Sequence, residues 1–139
     1  MKTIVQDLRS RFGFHATPFT CEISVKDRFP LREFDETIEA LLQTLDARMS
    51  CALIAPAGTG KSSILRAVLA KLPDVRYRTH YVKVTGLSKR DMCREIAQAV
   101  GLAPAGSYPS LVRKLQDRFR ETSDTEGLRP VLILDEAQD

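Results

Sequence analysis

Hydrophobic positions along the chain repeat with two different periods. Phe34, Ile38, Leu41, Leu42 and Leu45 recur at helical spacing and predict an amphipathic helix from Leu31 or Glu33 to about Arg48. Its opposite face carries Glu33, Asp35, Glu36 and Glu39, a solvated face whose acids suit the positive end of the helix dipole. Ile64, Leu65, Val68, Leu69 and Leu72 predict a second helix over Ser63 to Leu72. A third carries Met92, Ile96, Ala99 and Val100 inward and stops near Gly101. Ser88 is its expected N-cap, with Asp91 three residues on. Leu111, Val112, Leu115 and Phe119 predict a fourth from about Pro109 to Glu121, followed by a polar loop to Arg129. Ile4, Val5 and Leu8 allow a short helix within Met1 to Arg11, after which Pro18 biases the chain toward an extended form.

Strand signals fall between these helices. Tyr77 to Val84 alternates, with Tyr77, Thr79, Tyr81 and Lys83 on one side and Arg78, His80, Val82 and Val84 on the other. Cys51 to Ile54 and Val131 to Leu134 are short apolar runs of the kind that form buried strands. The order is helix, strand, helix, strand, helix, helix, strand, which argues for an α/β layered fold with a parallel sheet.

Candidate chemistry sits where two apolar runs end. Cys51 to Ile54 leads into Ala55-Pro56-Ala57-Gly58-Thr59-Gly60-Lys61-Ser62, and a helix follows. Strand, glycine loop and helix together read as a phosphate-binding loop. Such a loop presents unpaired backbone N–H groups and the positive end of a helix dipole to an anion. Gly58 and Gly60 permit backbone angles and close approaches that a Cβ obstructs. Lys61 would reach the outer phosphates, and the Ser62 hydroxyl would sit on a bridging Mg²⁺. The first position of this pattern, usually Gly, is Ala55. Val131 to Leu134 closes in Asp135 and Glu136, a second strand ending in an Mg²⁺-side carboxylate and a neighbouring acid.

Composition narrows the classes. The 139-residue length fits one domain, and 43% hydrophobic residues suffice for a core. Lys and Arg number 21 against 18 Asp and Glu, so the chain is no polybasic arm. Lys89, Arg90, Arg94, Arg113, Lys114, Arg118 and Arg120 could make a DNA-facing stripe, yet their mixture with acids favours a solvated face. Cys21, Cys51 and Cys93 are odd in number and widely spaced, as free thiols in a reducing compartment would be. His15 and His80 have no metal or catalytic spacing and read as structural or surface residues. No apolar run approaches a membrane span and no secretory signal opens the chain, so a cytoplasmic location is expected.

Ala55 to Ser62 as a Walker A motif and Val131 to Glu136 as a Walker B motif resemble the AAA+ branch of P-loop ATPases. Within that branch, Phe14-His15-Ala16-Thr17-Pro18-Phe19 ahead of a helix and the loop is similar to the ExeA and TniB-like ATPases. These include ATP-dependent regulators carried by transposons and a secretion-associated group. The resemblance runs from Phe14 onward and implies a P-loop NTPase of AAA+ type, a three-layer α/β/α sandwich around a mostly parallel sheet. It implies a segment beside the nucleotide over residues 1–30, with Phe14 and Phe19 either forming part of an adenine pocket or anchoring the core. Residues 31–139 would hold the ATPase core from Walker A to Walker B. ATP and Mg²⁺ are the implied cofactors. Ala57, Gly58, Thr59, Gly60, Lys61, Ser62 and Ser63 would surround the phosphates, Ser62 and Asp135 would hold the metal, and Lys61 and Glu136 would be catalytic.

The family's chain continues past Walker B with a strand carrying a polar sensor, a basic residue acting across a subunit boundary, and a helical lid. That next strand lies between the loop strand and the Walker B strand. This sequence stops at Asp139, so the expected sheet is incomplete at its C-terminal end. The resemblance also implies a homo-oligomer, with DNA and a transposase as partners. Three readings of function stay open: an ATPase motor or switch, in transposition first and secretion second; a nucleotide-binding regulator that does not hydrolyse; and a remnant that does not fold stably.

Overall fold

The computed structural model describes residues 10–15 and 24–137. The helix expected near the start lies outside the described residues except at its end, as do Phe19 and Cys21. A short 3₁₀ turn at Val25–Asp27 precedes the regular elements. These are α1 (Arg32–Asp46), α2 (Lys61–Lys71), β1 (Tyr77–Lys83), α3 (Lys89–Ala99), α4 (Tyr108–Asp124) and β2 (Arg129–Asp135).

The two strands pair in parallel, from Tyr77 opposite Arg129 to Lys83 opposite Asp135. Parallel neighbours need a long crossover, which α3 and α4 supply. Because side chains alternate along a strand, β2 sends Val131 and Ile133 to one face and Leu132 to the other. On the first face they join Tyr77, Ile38 of α1 and Ile64, Ala67 and Val68 of α2 in one core. On the second, Leu132, Val82 and Val84 meet Cys93, Ile96 and Ala97 of α3 and Leu111 and Leu115 of α4. The chain is therefore an α/β/α three-layer arrangement around a parallel sheet.

Element ends follow local chemistry. Ser88 caps α3 by accepting from the Asp91 N–H at 3.2 Å. Helix α4 runs three residues past the expected Glu121, because Thr122 is buried and returns its hydroxyl to the Arg118 carbonyl at 3.0 Å. At the start of the sheet, Asp46 accepts from Tyr77 Oη at 3.1 Å and from Arg129 at 3.0 Å, which ties the end of α1 to both strands.

One expected strand is absent. Cys51 to Ile54 is irregular, with Ile54 90% exposed. A strand exists by virtue of a ladder partner, and the two-stranded sheet of β1 and β2 puts none beside this run. An open trough of about 1040 Å³ is lined by Cys51 to Ile54, by β2 from Arg129 to Asp135, and by Leu41, Leu45, Leu65 and Val68. With no ladder partner among the described residues, the apolar run stays outside the sheet.

Candidate functional site

Both strands run toward one end, and the glycine loop arrives at that same end. Helix α2 begins at Lys61, two residues earlier than its apolar spacing suggests. Its N-cap is Gly60, at φ 85°, and no side chain caps it. The first-turn amides of a helix lack the usual acceptors four residues back; here Ser63 N–H bonds the Gly60 carbonyl at 2.9 Å, which leaves the N–H groups of Lys61 and Ser62 at the uncapped terminus. A Cβ on Gly60 would come within 3.1 Å of the Phe34 ring, so the glycine also lets the loop lie against α1.

The loop is closed on its own lysine. Lys61 Nζ donates to the carbonyls of Ala55 at 2.8 Å and Pro56 at 2.9 Å. Thr59 Oγ1 donates to the same Pro56 carbonyl at 2.8 Å. Ser63 points elsewhere and lines a small recess with Ser24, Val25, Arg28 and Arg66.

Ser62, in the first turn of α2, donates its hydroxyl to Asp135 Oδ2 at 2.9 Å across 73 residues of sequence. Asp135 is the last residue of β2 and only 5% exposed. Its alternation matches Val131 and Ile133, which aims it at α2. Tyr81, on the same face of β1, also donates to Oδ2. The Glu136 N–H closes the set on Oδ1 at 2.9 Å. Burial opposes the charge on Asp135, yet the hydrogen bonds from Tyr81, Ser62 and the Glu136 amide hold its carboxyl below the ordinary range. Burial and the donated bond to Asp135 together push the Tyr81 phenol up to about 12.

Glu136 turns out of the strand at φ 58°. Its Oε2 accepts from Thr85 Oγ1 at 2.8 Å and its Oε1 pairs with Lys83 Nζ at 3.2 Å. The Thr85 bond first, then the Lys83 bond, lower its carboxyl. Lys61, Asp135 and Glu136 all border one end of the trough, so the site opens into it.

A hydroxyl and an ionised carboxylate 2.9 Å apart at an uncapped helix terminus form an oxygen donor set suited to Mg²⁺ beside a phosphate. A family model described as an AAA domain matches residues 36–139. The chain belongs to the AAA family. No curated protein and no solved structure matches it. An AAA domain is a nucleotide-binding ATPase module of P-loop fold, and such ATPases generally use ATP and Mg²⁺.

Several features of this AAA domain bear on residues the motifs single out less clearly. Tyr81, Lys83 and Thr85 reach the two acids, although neither motif contains them. The alternation of β1 puts Tyr81 and Lys83 on one face, but only the register with β2 brings that face to Asp135 and Glu136. Phe14 is 43% exposed and lies 5.9 Å from the Phe12 ring, so it is no core anchor. His80 holds the Ala99 carbonyl at 3.0 Å, a structural contact at the end of α3. Of the basic residues, Arg94 pairs with Asp91, Arg118 with Glu121 and Glu126, and Arg90 and Lys114 donate to loop carbonyls. Cys51 and Cys93 are free thiols. Among the described residues no helix is long and apolar enough to cross a membrane.

Proposed function

We propose that this AAA domain binds Mg²⁺ and ATP where α2 begins and β1 and β2 end, and that it hydrolyses the nucleotide there. The contact between Ser62 and Asp135 carries the reading, because it joins the loop helix to the strand end at the spacing a shared metal needs. Amides of Gly58, Thr59, Gly60, Lys61 and Ser62, with Ala57 and Ser63 flanking, bind phosphate oxygens. Lys61 exchanges the Ala55 and Pro56 carbonyls for the outer phosphates. Ser62 and Asp135 hold Mg²⁺, which when bound neutralises charge on the phosphate oxygens. Glu136 orients the attacking water and accepts its proton.

A second reading is nucleotide binding without turnover, and a particular contact favours it. Thr85 and Lys83 occupy the Glu136 carboxylate, and it must leave them to act as a base. The resemblance to transposon-carried regulators supplies a setting on DNA, with secretion as the alternative; stimulation of turnover by added DNA is its test.

The two readings separate in one experiment. Lys61→Met is expected to weaken binding of a fluorescent ATP analogue at least tenfold. Glu136→Gln is expected to keep that binding and lower turnover by about a hundredfold or more. A Lys61→Met protein that binds like the parent would remove the site. A parent that binds but does not turn over leaves the regulator reading standing.

A further inference from the structure

Tyr81 has no place in the phosphate loop or in the acid pair, yet it spends its hydroxyl on the most buried acid of the site. Tyr81 is 41% exposed, so packing alone does not account for its position. The phenol reaches Asp135 Oδ2, the oxygen that also accepts from Ser62. A hydroxyl donating to Asp135 must turn its lone pairs away from that acid. Fixing the acceptor therefore fixes the direction in which Ser62 can offer a lone pair to a cation. Without the phenol, the Oδ2 edge of the carboxylate keeps only Ser62, and the Glu136 N–H holds the other oxygen alone. With one donor fewer, the carboxylate is held less firmly against rotation about its own bond.

We propose that Tyr81 is a positioning residue of the Mg²⁺ site, holding Asp135 so that the Ser62 hydroxyl faces the metal. This rests on the nucleotide-binding reading above and adds to it a residue on the neighbouring strand. Partners that orient metal-binding groups commonly contribute ten- to a hundredfold to metal affinity or activity. The phenol acts through Asp135 and touches neither nucleotide nor metal.

The test compares Tyr81→Phe with the parent, both as the full chain, by titrating Mg²⁺ into a fixed mixture of protein and fluorescent ATP analogue. The same binding is measured in EDTA, and so is thermal unfolding. Tyr81→Phe is expected to match the parent's nucleotide affinity in EDTA and to melt cooperatively there, a few degrees lower for the hydrogen bond lost to Asp135. Its half-saturating Mg²⁺ concentration is expected to rise about tenfold. An unchanged Mg²⁺ dependence would overturn the proposal. So would an equal loss of affinity with and without Mg²⁺, or a variant that no longer melts cooperatively in EDTA, since either makes the phenol a residue of the fold. A parent that binds no nucleotide under any condition would sink the functional reading itself, a result distinct from the others.

Discussion

Asp135 collects three hydrogen bonds on two oxygens while nearly buried, and its titration should show it. Its folded pKa lies below the ordinary value of 3.8, so the carboxylate contributes stability above that value. The contribution disappears as pH falls through the folded pKa. Asp46, Asp91, Glu126 and Glu136 are lowered as well, so the whole chain should lose stability in acid. A comparison with Asp135→Asn isolates the one residue. At pH 7 the variant should be less stable by about 1.5–3 kcal/mol, the range for hydrogen bonds to a charged group. Urea unfolding between pH 7 and pH 3 should show that difference shrinking below about pH 4. At this scale the motif residues were legible because their chemistry depends on neighbours in sequence: Lys61 and Ser62 follow a glycine loop, and Asp135 ends an apolar run. Tyr81 and Thr85 were not, because the pairing of two strands about 50 residues apart decides what they touch.

Elements were readable where they carry their own signals. Helices α1, α3 and α4 have an apolar stripe, and α3 has its cap written in Ser88 and Asp91. Ser88→Ala should cost about 1 kcal/mol, the usual value for a lost N-cap. In a chain of this size that corresponds to roughly 4 °C in a calorimetric melt, and Ser88→Asp should restore most of it. Local pattern failed at Cys51 to Ile54 for an equally physical reason. A helix satisfies its backbone within itself, whereas a strand borrows partners from elsewhere. Four apolar residues can state a preference for extended backbone, but the neighbour that would make them sheet is not encoded in them. The start of α2 shows the opposite error: Lys61 and Ser62 are helical although neither belongs to the apolar stripe.

For the molecule as a whole, three layers form around two strands among the described residues, and the core against α1 and α2 opens through Leu41, Leu45 and Leu65 into the trough. The layered architecture was legible from the alternation of helix and strand signals, while the trough beside β2 could be seen only once the strands were paired. One residue at the rim of that trough turns it into something that can be watched. Cys51 is exposed there, and Cys93 is sealed between α3 and the sheet. A brief maleimide pulse without denaturant should therefore modify Cys51 well before Cys93, as peptide mass spectrometry would resolve. An occupant seated between β2 and the Cys51 to Ile54 run would cover this thiol. The rate of labelling at Cys51 then reports whether the groove is filled, and it needs no reporter beyond the sulfur already in the chain.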